Sequence, residues 1–350
     1  MSPDDLIAPK PKEGEPFDVI IIGSGPAGLT AAIYTTRAAL STLIIGGTSW
    51  GGQLMLTTEV ENYPGFRSIL GPELMQKMRG HATSFGAEFV QQDAQAVDFR
   101  KKPFTVKADG KSYQSRSVII ATGAQTQWLG LPSEQKLIGR GVSSCAPCDA
   151  PFFRGKSVIV VGGGDSAMEE ANVLTRYATA VTIIHRRDQF RASEAMQQKV
   201  LNNPKIKVLW NSEVAEILGD ERVTGIKIKN NKTNEISEIP IDGIFVAIGH
   251  TPATKLYEGQ IELDQKGYVK RMENGKAGTP LREGVKMENE KGEVIGSRYP
   301  TMSSVEGVFV SGDVHDYDYR QAVTAAGYGC QAAMDLEKWL EEAKEESKSR

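Results

Sequence analysis

Phe17-Asp18-Val19-Ile20-Ile21-Ile22 is a short apolar run of strand length, and it leads straight into Gly23-Ser24-Gly25-Pro26-Ala27-Gly28. A helix-compatible stretch, Leu29 to Ala39, follows. Strand, glycine turn and helix in that order are the context a dinucleotide fingerprint requires. Its first glycine makes the tight turn, its second lets backbone approach a pyrophosphate, and its third lets helix pack on strand. The anion then rests on a helix N-terminus, where free N–H groups and the dipole favour it. The pattern recurs where Ser157-Val158-Ile159-Val160-Val161 runs into Gly162-Gly163-Gly164-Asp165-Ser166-Ala167, with a helical stretch through Tyr177. Ala167 stands in for the third glycine, as the fingerprint permits. Two such units predict an α/β chain with two Rossmann-like domains and two different dinucleotides.

The strand after each turn separates the two. A carboxylate at its end normally holds a ribose hydroxyl. In the second unit Ala180-Val181-Thr182-Ile183-Ile184 ends instead in His185-Arg186-Arg187, with Arg191 beyond. Cations at that place predict a 2′-phosphate, hence NADPH, because the guanidinium fork gives phosphate two parallel charge-assisted hydrogen bonds. In the first unit Thr42 to Ile45 ends in Gly46-Gly47, neither acid nor base. How that ribose is held is not visible in the sequence.

Composition narrows the setting. A chain of 350 residues with 40% hydrophobic content predicts two globular domains. Its formal charge of −3, from 41 basic and 44 acidic residues, gives no reason to expect nucleic acid or an anionic membrane. Residues 1–16 are expected to be a disordered tail without a secretory core segment. No run approaches the roughly 20 apolar residues that span a bilayer. Three cysteines are too few for a stapled secreted domain, so a reducing, cytoplasmic setting is expected.

Cys145-Ala146-Pro147-Cys148-Asp149 lies just before the second unit. A Cys-x-x-Cys pair is either half of a zinc site or a redox dithiol. Zinc takes about four ligands. Here Cys330 is expected to be a small buried hydrophobe, and His81, His185, His250 and His315 are scattered, so no metal is expected. Beside two dinucleotide sites, a redox pair fits. NADPH delivers hydride and a disulfide accepts electrons by sulfur attack, and a flavin couples the two. Asp149 is the acid–base candidate, provided its surroundings raise its pKa; it is equally placed to cap a following helical turn.

With these motifs together, the sequence from Asp18 to about Leu340 resembles the low-molecular-weight, bacterial-type thioredoxin reductases. Gly51-Gly52-Gln53-Leu54 and Thr57 to Gly65 look like that family's flavin-side loops, and Gly312-Asp313-Val314 with Arg320-Gln321-Ala322 like its second flavin signature. The resemblance implies FAD contacts from Gln53, Asn62, Gly312, Asp313, Arg320, Gln321 and Ala322. It implies an FAD domain from residues 17–123 and 252–350, with an NADPH domain, 124–251, inserted and swinging. Cys148 would be the flavin-proximal sulfur, Cys145 the one that attacks the partner, and Arg140 a docking residue for thioredoxin. A homodimer is implied as well.

Two departures stand out. The family usually has Ala-Thr between the cysteines where this chain has Ala-Pro, which changes backbone freedom and removes an N–H. An additional Lys-, Glu- and Gly-rich segment between Lys270 and Tyr299 is expected to form a surface hairpin. Three other functions fit parts of the pattern: a flavin-dependent dithiol oxidase, a ferredoxin-fed reductase, and a non-catalytic nucleotide sensor. His185-Arg186-Arg187 argues against the first two, which have no need of NADPH.

Overall fold

The computed structural model describes residues 7–57, 59–272, 286–288 and 294–349. The chain divides into two units: one from residues up to Met55, Tyr63–Gln125 and Pro252 onward, the other from Leu56–Asn62 and Thr126–Thr251.

In the first unit Phe17–Ile22 lies inside a seven-stranded sheet, parallel to Thr42–Ile45 on one side and Lys111–Ile120 on the other. Glu88–Val90 extends the parallel part beyond Thr42–Ile45, and Val308–Val310 adds to it beside Lys111–Ile120. Val19, Ile20, Ile21 and Ile22 are all buried, so this strand is covered on both faces. The helix that follows runs Pro26–Arg37, beginning earlier than the Leu29 expected from the apolar pattern, because Gly25 caps it and Pro26 suits its first turn. The long helix Ala322–Ser349 packs along it.

The second unit carries a five-stranded parallel sheet in the order Val142–Ser143, Gly243–Val246, Ser157–Val161, Ala180–His185, Ile206–Trp210. The helix Asp165–Leu174 stops short of Tyr177. Ser212–Leu218, Gly225–Asn230 and Ile236–Pro240 form an antiparallel sheet. Where the chain crosses between units, Ala124–Thr126 and His250–Pro252 pair as a two-stranded ribbon.

Two features differ from expectation or extend it. Part of the expected tail is anchored: Ala8 is buried and its N–H donates to Phe85 O at 2.8 Å, in a space that a side chain at Gly86 would narrow. Residues 1–6 of that tail lie outside the described residues. In the additional segment Lys286–Glu288 pairs antiparallel with Val294–Ser297; residues 273–285 and 289–293 lie outside the described residues. Among the described residues no helix is long and apolar enough to cross a membrane.

Candidate active site

Cys145 and Cys148 are joined as a disulfide, with S–S 2.09 Å and Cα–Cα 5.3 Å. The short helix Ala146–Asp149 holds them, with Cys145 as its N-cap. The N–H groups of Cys148 and Asp149 donate to the Cys145 carbonyl at 3.2 and 3.1 Å. Pro147 sits in the first turn, where N–H groups have no intrahelical acceptor, so its missing donor breaks no helical bond.

Asp149 is half-buried and accepts a hydrogen bond from Ser143 Oγ at 2.5 Å. Ser143 Oγ in turn accepts the Cys145 N–H at 3.1 Å, so one hydroxyl ties the acid to the cysteine backbone. Burial pushes the Asp149 pKa up, and the Ser143 bond partly offsets it. Asp149 therefore keeps its proton to higher pH than an ordinary carboxyl. It makes no side-chain cap to the 3-10 turn Ala150–Phe153, so the capping role is not realised. A surface cleft is lined by Ser143, Asp149, Arg140, Lys156 and Arg222, which brings the exposed Arg140 to the same face as the acid.

At the second glycine turn, Gly164 caps the helix Asp165–Leu174, and a Cβ built there meets nothing within 4 Å. Gly163 is different: its Cβ would fall 2.2 Å from the His185 ring. His185 is the last residue of its strand and buried, with Nε2 3.0 Å from Gln189 O, and burial lowers its pKa. The structure thus places this histidine beneath the turn, apart from the exposed Arg186, Arg187 and Arg191. The N–H groups of Arg191 and Ala192 donate to Gly163 O at 2.7 and 3.2 Å, fastening the basic loop to the turn. Asp165 Oδ1 accepts from the Ser193 N–H and Oγ, at 2.9 and 2.8 Å, and Ser166 is exposed in the helix's first turn.

At the first turn Gly23 has φ +116°, and a Cβ there would lie 2.1 Å from Ala121 O, so only glycine fits. Gly25, like Gly164, is open in front. Gly312 comes against this turn from the far end of the chain: its Cβ would lie 2.7 Å from that of Ala27. Asp313, next in line, is half-buried, but its Oδ1 is shut off from solvent and has no hydrogen-bond partner. Burial, helped by the nearby Asp316 carboxylate, pushes its pKa to about 7. Asp316 accepts from the N–H groups of Asp318, Tyr319 and Arg320 at 2.9, 3.0 and 3.2 Å, and so shapes the loop that enters Gln321 and Ala322 with Arg320 at φ +48°. Gln53 is exposed in the 3-10 turn Gly52–Leu56 of this unit, whereas Asn62 groups with the other.

These residues fit the two cofactors. An unpartnered buried carboxyl oxygen beside a glycine turn left open at Gly25 suits the polyol and pyrophosphate of FAD. Open space at Gly164, with three exposed arginines on the tethered loop, suits NADPH. Sequence reasoning missed Ser143 and Asp316; for Asp316 the available signal was an acid just before a turn and Arg320. It also placed Cys330 in the core, whereas the thiol is half-buried on the helix Ala322–Ser349, with Sγ 3.7 Å from Met334 Sδ.

A family model for pyridine nucleotide-disulphide oxidoreductases matches residues 17–329. A thioredoxin reductase of Mycolicibacterium smegmatis is 50% identical over 326 residues, 93% of this chain and 97% of that protein. A bifunctional thioredoxin reductase/thioredoxin of Mycobacterium leprae is 48% identical over 93% of this chain and 66% of its own length. The crystal structure of thioredoxin reductase from Streptococcus pyogenes MGAS5005 superposes with TM-score 0.82 at 38% identity, covering 93% of this chain and 98% of that one. With its disulfide in place between two dinucleotide-type glycine turns in sequence, the chain belongs to the pyridine nucleotide-disulphide oxidoreductases, and among them to the thioredoxin reductases.

Proposed function

We propose that this enzyme reduces the disulfide of a thioredoxin with NADPH, through FAD and the Cys145–Cys148 pair. The observation that carries the reading is the disulfide set against Asp149 and Ser143, in the unit that bears the arginine-flanked glycine turn. The relative in which reductase and thioredoxin share one name supports the choice of partner.

Bound FAD and NADPH together supply a two-electron reductant for a disulfide. The first turn, Gly23 to Gly28, is assigned to the FAD pyrophosphate; Asp313 offers its unpartnered oxygen to a ribityl hydroxyl. Gln53, Asn62, Gly312, Arg320, Gln321 and Ala322 complete that assignment by resemblance. Gly162, Gly164, Asp165, Ser166 and Ala167 form the NADPH turn, with Arg186, Arg187 and Arg191 for the 2′-phosphate and His185 as its buried support. Once the pair is a dithiol, the Cys145 thiolate attacks one partner sulfur, forming a mixed disulfide and releasing the other partner sulfur as a thiolate. The Cys148 thiolate then attacks Cys145 Sγ, which restores the Cys145–Cys148 bond and releases the second partner sulfur. Asp149 holds the proton that a departing sulfur takes up, and Arg140 meets the partner at the same cleft. A cytoplasmic homodimer completes the reading, since a dithiol persists in a reducing compartment.

The test is anaerobic rapid mixing with NADPH, followed by addition of oxidised thioredoxin. Flavin absorbance should fall, and thioredoxin thiols should then appear at two per NADPH consumed. A flavin that stays oxidised would overturn the proposal; a flavin that bleaches without thioredoxin thiols appearing would overturn the choice of partner.

A further inference from the structure

The strand Thr42–Ile45 ends in Gly46-Gly47, without the carboxylate that holds an adenosine ribose in this type of fold. The space for a side chain at 46 is already taken. A Cβ on Gly46 would fall 2.2 Å from Cζ of Phe89. Phe89 is itself clamped, with the Arg79 guanidinium 3.9 Å from its ring centroid and Trp50 edge-on at 6.2 Å. An acid at position 46 would have to displace that ring.

A carboxylate nevertheless reaches the strand end from elsewhere. Asp93 follows Glu88–Val90, the parallel neighbour of Thr42–Ile45, and its Oδ1 lies 3.2 Å from where a Cβ on Gly47 would sit. Thr48 holds it there: the Thr48 N–H donates to Oδ1 at 3.0 Å and its hydroxyl to Oδ2 at 2.9 Å. The two strand ends are laced together as well, by Gly46 N–H to Val90 O at 2.8 Å and Gly47 N–H to Gln92 O at 3.1 Å. Ser24, inside the glycine turn, joins the same framework, donating to Gly46 O at 2.5 Å and accepting from Gly51 N–H at 2.9 Å. Asp93 is exposed, and each of its oxygens keeps acceptor capacity beyond the Thr48 bond.

We propose that Asp93 is the carboxylate that holds the adenosine ribose of FAD, replacing an acid at the end of Thr42–Ile45. The inference rests on FAD being the nucleotide of the first turn. Flavin-free protein is titrated with FAD and with an FAD analogue whose adenosine ribose lacks both hydroxyls, followed by flavin fluorescence, for the wild type, Asp93→Ala and Thr48→Val. The wild type should bind FAD about tenfold more tightly than the analogue, the loss expected for hydrogen bonds to a charged group. Asp93→Ala should bind FAD about tenfold more weakly and no longer tell the two apart, while Thr48→Val, which keeps the carboxylate, should still discriminate. The proposal is overturned by a wild type that does not discriminate, by an Asp93→Ala variant that weakens both flavins equally, or by a Thr48→Val variant that loses discrimination as fully. A wild type that binds neither flavin instead removes FAD from the first turn.

Discussion

At Gly25 and at Gly164 the backbone turns in the same way before a helix, and each leaves the space in front of it clear of protein atoms. What surrounds them differs in sign. The first turn is met by Asp313, with one buried and unpartnered carboxyl oxygen, whose loop is shaped by Asp316, and Asp93 lies just beyond the strand Glu88–Val90 at the end of the same sheet. The second is met by a loop carrying Arg186, Arg187 and Arg191, fastened to Gly163 O. On the assignment proposed above, the cradle for a pyrophosphate is common to both turns, and the choice of nucleotide falls to side chains that arrive from elsewhere in the chain.

Four variants probe that contrast. Gly23→Ala attacks the shared cradle: a positive φ and a 2.1 Å approach to Ala121 O leave a methyl no room. Backbone strain and overpacking together should weaken FAD retention about a hundredfold or more, read from the flavin-to-protein absorbance ratio of the purified enzyme. Arg186→Ala with Arg187→Ala attacks the positive side. The KM for NADPH should rise roughly thirtyfold and that for NADH hardly at all, and equal rises would remove the 2′-phosphate assignment.

Asp313→Asn attacks the negative side. With a folded pKa near 7 against an ordinary 3.8, the folded flavin-free protein keeps a proton that the unfolded chain has already lost. The stability this contributes is complete below about pH 4 and drains as pH rises through 7. Thermal melting of the flavin-free wild type should therefore fall by a few degrees more than that of Asp313→Asn between about pH 5 and pH 8; parallel curves would show Asp313 already charged. Ser143→Ala is the mildest change. Loss of the hydroxyl leaves Asp149 protonated to higher pH, so the alkaline limb of thioredoxin turnover should move up and the plateau rate change about two- to fivefold. An unmoved pH profile would leave Ser143 a merely structural neighbour.

The parallel strands were legible because they are buried on both faces and so appear as unbroken apolar runs; Phe17–Ile22 and Ser157–Val161 coincide with their predicted ends. The helix start at Pro26 was hidden because Pro26 and Gly28 look like breakers until the turn places them in the first turn of a helix. His185 looked like one of four phosphate cations, with Arg186, Arg187 and Arg191. Strand alternation and the bare backbone at Gly163 turn it inward instead, which adjacency to two arginines could not reveal. Ser143, Asp316 and Asp93 escaped notice for a common reason: each acts through side-chain hydrogen bonds that no motif marks, and Asp93 does so across 45 residues.

Pro147 was noted as a lost donor, yet it sits where no donor was needed. Its consequence is entropic. When the sulfurs separate, the short segment between them gains conformations, and a ring that fixes φ withholds part of that gain. The closed form is favoured by comparison, the two sulfurs keep a high effective concentration for one another, and the couple becomes the more reducing. Pro147→Thr should therefore raise the midpoint potential by about 10–20 mV in a glutathione redox titration, and a shift to lower potential would show the proline acting the other way.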